Sequence, residues 1–497
     1  MSYQSLETAN TDKPLRRIAI EPVSRVEGHG KVTLLVDENN NVEQARLHIV
    51  EFRGFEKFIQ GRPYWEVPTM VQRLCGICPV SHLLAASKAM DQVLGITITP
   101  TAEKLRRLLH LGQVMQSHAL HFFHLSSPDL LFGFESEVAK RNIIGVAEKY
   151  PDIGLMGIGL RKYGQQVIEH ICGKRVHGTG SVPGGMNKAL SEQSRQALLA
   201  PIDQMITWSQ KAVNLSRDLY ITDPDRHEKF GLIESQFMSL NGTGGAFDLY
   251  HGDLRVTDAQ GNIVLDGVDY RNYHKLIHEQ VKSWSYMKFP YLVDQGTEQG
   301  WYRVGPLARI NNCNFISTPL AEAARVEFKT FHGNKPAQGT LAFHWARMIE
   351  MLHCVEQMKN LLLSPDILST DLMATGQRTG EGVGVIEAPR GTLIHHYQVD
   401  DNDLVTMANL IVSTTHNNQA MNESVRQVAQ QYLSGNELTE GLLNHIEVAI
   451  RAYDPCLSCA THALGKMPLR IELCRSDGKL VDVLHKNGDG KISRIAP

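Results

Sequence analysis

The chain has 497 residues, 42% apolar and 21% charged, and 50 Lys plus Arg against 53 Asp plus Glu leave a net charge of −3. That composition supports a large core and excludes disordered and collagenous classes, and the near-balance of charge argues against a general nucleic-acid binder. No uncharged apolar run reaches the length of about 18 that spans a bilayer, and the polar N-terminus MSYQSLETANTDKPLRR lacks the apolar stretch of a signal peptide.

Residues 1–17 read as a flexible arm. From Arg17 to Phe52 the pattern is β: KVTLLVD and VEQARLHIVEF flank the turn-rich ENNN and predict a hairpin. A helical stretch is predicted after Pro68, with Cys75 and Cys78 near its start. Pro100 marks a break, and Leu105, Leu108, Leu109, Met115 and Leu120 then recur at helical spacing, predicting a helix from Thr101 through Leu125. Helical periodicity returns over 188–220 and 320–364. LRVTDAQGNIVLDG (Leu254 to Gly267) predicts a second hairpin turning at Gln260-Gly261. RIELCRSDGKLVDVLHK (Arg470 to Lys486) predicts a third, turning at Asp477-Gly478. The expected fold is multi-domain and mainly α, a helical core with α+β flanks.

Eight cysteines are too sparse for a secreted disulfide scaffold and fit a reduced, cytosolic setting. Four of them form two C-x-x-C pairs, in RLCGICPVSH (Arg73 to His82) and DPCLSCATH (Asp454 to His462). A redox dithiol wants a strand-to-helix context that is not evident around Cys75. Structural zinc suits four thiolates, but zinc ribbons keep their pairs about 15–20 residues apart, whereas Cys75 and Cys456 are 381 apart. Soft thiolates select Ni, Fe, Cu(I) or Zn, so a catalytic metal stays open beside zinc. Four thiolates in an interior want a cation and donors around them. Arg73, His82, Arg390, His395, His396 and His462 are the candidates.

Three further segments carry chemistry-bearing residues. RVEGHG sets Glu27 between Arg25 and His29, as a proton relay or an ordinary ion pair. GKRVHGTGSVPGG (Gly173 to Gly185) is glycine-rich but lacks the dinucleotide fingerprint, and the Gly382 and Gly384 region fails the same test. EAPRGTLIHHY holds Arg390 between a proline and a glycine, in a loop that aims its guanidinium. His118, His121 and His124 drift off one helical face, so packing is expected of them rather than metal ligation.

In order along residues 16–462, RVEGH, FRGFE, RLCGICPVSH, GKRVHG…PGG, VGPLARIN, APRGTLIHHY and DPCLSCATH together resemble the catalytic large subunit of [NiFe]-hydrogenases. The CGICP and DPCLSCATH wording looks most like the soluble, NAD-linked bidirectional type. The resemblance implies Cys75 and Cys456 as terminal nickel ligands, with Cys78 and Cys459 bridging nickel to an Fe(CN)2(CO) unit. It implies that Glu27 passes protons from a terminal cysteine and that Arg390 stands over the open coordination position, oriented by Asp454. His82 would donate to a bridging thiolate, and Thr414 with the Arg390 loop would hydrogen-bond the cyanides. Glu56 and His462, with the Leu410 carbonyl, would hold Mg2+. Ser117 stands where many relatives have an aspartate, and Ser413 where a proline is common.

The resemblance further implies a single large-subunit unit, with 18–462 as catalytic body and 463–497 as an extension. A maturation protease would remove that extension after nickel insertion, cutting between His462 and Ala463. Electrons must leave through another subunit, because the remaining cysteines are scattered and no nucleotide fold is signalled. The expected partners are flavin/NAD diaphorase subunits and an iron–sulfur small subunit, which would hold the FMN, NAD and Fe–S clusters, together with nickel-insertion factors. A cytoplasmic hydrogen dehydrogenase without a membrane span or nucleic acid is the expectation. The alternatives are a deazaflavin or NADP acceptor, or a non-catalytic zinc-bound or respiratory-complex relative.

Overall fold

The computed structural model describes residues 15–437, 439–462, 469–475, 480–486 and 491–495. The first strand is Arg16–Ile20, so the last two residues of the expected arm are strand. It pairs antiparallel with Gly30–Val36, which pairs with Val42–Ile49. The hairpin turn forms because the Asp37 carboxylate accepts the Asn39 and Asn41 amides, both at 2.8 Å.

The core is helical. Pro100–Leu120, capped by the Thr99 hydroxyl, packs against Pro151–Cys172. Small residues let these two approach: a Cβ on Gly164 would lie 2.6 Å from the Gly112 carbonyl oxygen. Ala342–Leu363 is buried on nearly every side between Pro100–Leu120 and Ile202–Ile221. The sequence pattern did not predict the 22-residue helix Pro151–Cys172. Its buried Met156, Leu160, Tyr163, Val167 and Ile171 do keep helical spacing, but interspersed glycines weaken the signal. The predicted helix from Thr101 continues past Leu120 as a π-helix, His121–Ser126. The 188–220 stretch divides at Ala200-Pro201, and 320–364 divides between Phe331 and Ala342.

Glu381–Ala388, Gly391–Val399 and Val405–Ile411 form a second antiparallel sheet. The helix Pro79–Val93 lies across it. Gly382 and Gly384 sit beneath that helix, where a Cβ on either would come within 2.0 Å of the Ala89 or Ala85 carbonyl oxygen. These two glycines thus serve helix–sheet contact. The predicted hairpin at 254–267 is Asp253–Thr257 with Ile263–Val268, and it joins Gln236–Gly242. The third predicted hairpin pairs Leu469–Cys474 with Leu480–Lys486, and its turn at Asp477-Gly478 lies outside the described residues. Among the described residues, no helix is long and apolar enough to cross a membrane.

Candidate metal centre

The first C-x-x-C, expected inside a helix near its start, lies instead in the break between a short helical turn ending at Leu74 and the helix from Pro79. Cys75 is extended, with φ −144°, and Cys78 precedes a proline at the first helical position. This break turns the Ile77 and Cys78 amides onto the Cys75 sulfur, each at 3.2 Å. The glycine-rich segment braces the loop: His177 contacts the Cys75 carbonyl at 3.1 Å and Arg73 at 3.1 Å.

The second pair follows the helix Glu440–Ala452. Asp454 takes a left-handed φ of 55° and turns the chain inward. The Cys456 amide donates to the Thr414 hydroxyl at 2.9 Å, and the Leu457 amide donates to the Glu27 carbonyl at 2.9 Å. Gly28, at φ +83°, lies so close that a Cβ would meet the Ser458 nitrogen at 2.6 Å. The N-terminal RVEGHG loop and the C-terminal cysteine loop are therefore packed backbone to backbone.

All four sulfurs converge, their Sγ atoms within 4.8 Å of one another and all buried. Cys75 and Cys456 are 3.2 Å apart, Cys78 and Cys459 3.9 Å, and Cys456 and Cys459 2.6 Å. Hydrogen bonds from Cys456, Cys459 and Cys75 pull the Cys78 thiol well below its usual pKa, against the opposing effect of burial. Burial pushes Cys456 and Cys459 well above theirs. Four thiolates this close in a buried site would need a cation at their centre.

Arg390 and Asp454 stand beside the cluster. The Arg390 Nε donates to the Asp454 carbonyl at 2.5 Å and Nη2 to its carboxylate at 3.0 Å. Arg390 Nη1 is buried with no protein partner among the described residues. Burial pushes the Asp454 carboxyl up, while Arg390 and Arg347 pull it down. The Ser117 hydroxyl is buried and likewise without a protein partner among the described residues, and the Arg390 side-chain bonds among those residues go to Asp454. A small cavity of about 10 Å3 lies between Cys78, Cys456 and Arg390. Its wall mixes the apolar Ala388, Pro389, Leu393 and Val412 with the Ser413 and Thr414 hydroxyls and His82. Such a wall suits small, weakly polar ligands that accept a few hydrogen bonds.

Glu27 Oε2 lies 2.8 Å from the Cys456 sulfur. Glu56, Leu410 and His462 also meet. The Glu56 amide donates to the His462 carbonyl at 3.3 Å, and its carboxylate accepts the Leu410 amide at 2.9 Å. His462 Nε2 contacts the Cys459 carbonyl, and its Nδ1 is buried without a protein partner among the described residues. Burial lowers the imidazole to about 3, keeping it neutral. His118 and His121 pair with Glu350 and the Arg451 carbonyl, as packing groups do.

What holds the Arg390 loop was not foreseen from the sequence. Arg309 donates to the Ala388 carbonyl at 3.0 Å and the Pro389 carbonyl at 3.3 Å, and it pairs with both Glu350 and Glu387 at 2.6 and 2.8 Å. The signal lay in VGPLARIN, whose arginine carried no assigned partner.

A profile of the nickel-dependent hydrogenase family matches residues 53–134 and 248–462, and a HoxL-like profile matches 17–52. The chain is 47% identical to the NAD-reducing hydrogenase HoxS subunit beta of Cupriavidus necator, over 94% of this chain and 99% of that one. It is 42% identical to a vhc F420-non-reducing hydrogenase subunit of Methanococcus voltae, over 95% and 100% of the two chains. A solved NAD+-reducing [NiFe]-hydrogenase in its H2-reduced state superposes with a TM-score of 0.89 at 56% identity, covering 90% of this chain and 99% of that one. The Ni-Fe-Se hydrogenase of D. vulgaris Hildenborough shares the fold, with a TM-score of 0.74 at 23% identity, covering 90% of this chain and 100% of that one. Four buried sulfurs drawn from both ends of the sequence, on this fold and with these relatives, make the chain a member of the nickel-dependent hydrogenase large-subunit family.

Proposed function

We propose that the chain catalyses reversible, heterolytic cleavage of H2 to protons and electrons, and that the electrons pass through a small iron–sulfur subunit, then a flavin-bearing diaphorase, to NAD. The observation that carries the reading is the convergence of Cys75, Cys78, Cys456 and Cys459 within 4.8 Å in a buried site. Cys75 and Cys456 would be the terminal nickel ligands, and Cys78 and Cys459 would be shared with Fe(CN)2(CO). When bound, the two metals supply the electrophilic site at which H2 is polarised.

The chain's own residues do the rest. The Glu27 carboxylate accepts a proton from the Cys456 sulfur and carries it outward. Arg390, held by Asp454, keeps a fixed positive charge over the cavity, in a buried site. The Thr414 hydroxyl and the Arg390 loop present donors suited to cyanide nitrogens, and His82 one suited to the Cys78 thiolate. The Glu56 carboxylate, the Leu410 carbonyl and the neutral His462 imidazole offer oxygen and nitrogen donors for Mg2+. Residues 18–462 form one catalytic body. Residues 463–497 are an extension that a maturation protease removes after nickel-insertion factors have acted. The 47% identity to a subunit of an NAD-reducing hydrogenase supports the acceptor and the partners, and the free cysteines among the described residues fit a reduced, cytoplasmic setting.

Infrared spectroscopy tests this on the complex purified from a host with the maturation machinery. Metal-bound CO and cyanide bands, with nickel on elemental analysis, are expected. Zinc without nickel, and no such bands, would rule for a structural zinc site.

A further inference from the structure

His82, His395 and Tyr397 form a hydrogen-bonded row that starts in the cavity wall and runs inward. His395 and Tyr397 are two positions apart on the strand Gly391–Val399 and so share a face. The helix Pro79–Val93 brings His82 onto that face. All three side chains are wholly buried. His82 Nδ1 lies 3.1 Å from His395 Nε2, and His395 Nδ1 lies 2.6 Å from the Tyr397 hydroxyl.

The direction of this row follows from its inner end. Among the described residues, His395 Nδ1 is the only hydrogen-bond partner of the Tyr397 hydroxyl. A buried O–H left without an acceptor costs about 1–3 kcal/mol, so the hydroxyl donates. The ring nitrogens of the wholly buried His395 bond to His82 and Tyr397 and not to a carboxylate, so nothing compensates a charge there and the imidazole is neutral. A neutral ring that accepts at Nδ1 carries its proton on Nε2. His395 therefore donates to His82 Nδ1, and the His82 proton sits on Nε2. That nitrogen is buried with no protein acceptor among the described residues, in a cavity that Cys78 also lines. The opposite polarity would leave the Tyr397 O–H without an acceptor and a lone pair facing the thiolate.

We propose that His395 and Tyr397 are positioning residues that fix the tautomer of His82, so that its Nε2–H donates to the Cys78 sulfur. The proposal rests on reading Cys78 as a thiolate shared by the two metals. A donor on such a thiolate draws electron density from it and tunes the metal that it binds. His396, the neighbouring residue, faces the other way, onto Tyr273 at 3.0 Å and Glu381 at 2.7 Å, and takes no part.

The test is the infrared spectrum of the metal-loaded complex. In His395→Leu the CO band moves to lower wavenumber by more than its linewidth, because the thiolate then gives more density to iron. His395→Gln, whose amide still donates to His82, restores the wild-type position. Tyr397→Phe shifts the band less, in the same sense, and His396→Gln leaves it unmoved. A band unmoved in both His395→Leu and Tyr397→Phe, or moved upward, overturns the proposal. If His395→Leu fails to load metal, Tyr397→Phe, which removes a single oxygen, decides alone. Bands absent from the wild-type complex would overturn the hydrogenase reading and this proposal together; bands present but unmoved overturn only the proposal.

Discussion

Glu27 and Cys456 stand 429 positions apart in sequence, yet the Glu27 carboxylate lies 2.8 Å from the Cys456 sulfur. Their backbones also meet as an isolated parallel bridge. The contact is therefore fixed by main chain at both ends. The Ser458 amide also donates to the same carboxylate oxygen, at 3.2 Å, and its hydroxyl donates to Glu51 at 2.7 Å. The carboxylate is placed to take a proton from sulfur and has polar groups leading outward behind it.

Glu27→Gln preserves these hydrogen-bonding positions but cannot carry a proton. Nickel content and the CO and cyanide bands are expected to stay at wild-type levels. H2-dependent dye reduction is expected to fall by about 10²–10⁴, the usual contribution of a positioned acid–base group. Wild-type turnover in the metal-loaded variant would remove Glu27 from the proton path.

Cys459→Ala leaves three sulfurs where four converge. The nickel content of the purified complex is expected to collapse along with H2-dependent dye reduction. Elemental analysis checks this directly, and full nickel occupancy with retained activity would contradict the role of Cys459 as a shared ligand.

The sequence exposed the chemistry more fully than the frame around it. Both C-x-x-C pairs, Glu27 and Arg390 stand in short motifs whose residue types imply their chemistry. The hairpins were legible because alternation and turn residues are local. What could not be read was anything decided by distant packing. Gly382 and Gly384 invited a nucleotide-loop test, but their reason is the carbonyls of Ala85 and Ala89, some three hundred positions earlier. The Pro151–Cys172 helix was obscured by glycines that serve close packing, Gly164 against Gly112, Gly157 against Phe123 and Gly159 against Trp208. The Cys75 break was missed because the helical pattern continues on both sides of it. Arg309 gave no sign of Glu350 or Glu387, since a buried charge names its partner only in three dimensions.

Arg309 is the cation between two wholly buried carboxylates. Arg309→Met removes it and leaves Glu350 and Glu387 uncompensated, which costs about 3–5 kcal/mol. Chemical denaturation should report that loss. Adding Glu350→Gln to Arg309→Met should recover part of it, because the two residues share one network. A strictly additive double variant would show that Arg309 acts elsewhere.

Acid should unfold this protein through its histidines before its carboxylates. Burial lowers His110, His118 and His353 to about 4 and His416 to about 3, so each is neutral in the folded chain at neutral pH. Their pKa in the unfolded chain is about 6.5. The unfolded state thus binds more protons as pH falls below that value, and stability drops with pH rather than rising. The window runs from about 6.5 down to the folded values. Four such groups give a slope of up to about 5 kcal/mol per pH unit in its middle, at about 1.4 kcal/mol per proton. Burial pushes Glu350 up but Arg309 outweighs it and holds the carboxyl at about 2, so its own loss is added only below the ordinary carboxylate pKa of 4.5. Melting temperature at constant ionic strength should be flat above about pH 7 and fall steeply between about pH 6.5 and 5. His353→Gln, which keeps a partner for Thr318, should flatten that fall by about one proton's share. Equal melting temperatures on the two sides of that window would mean that these imidazoles are not held neutral by burial.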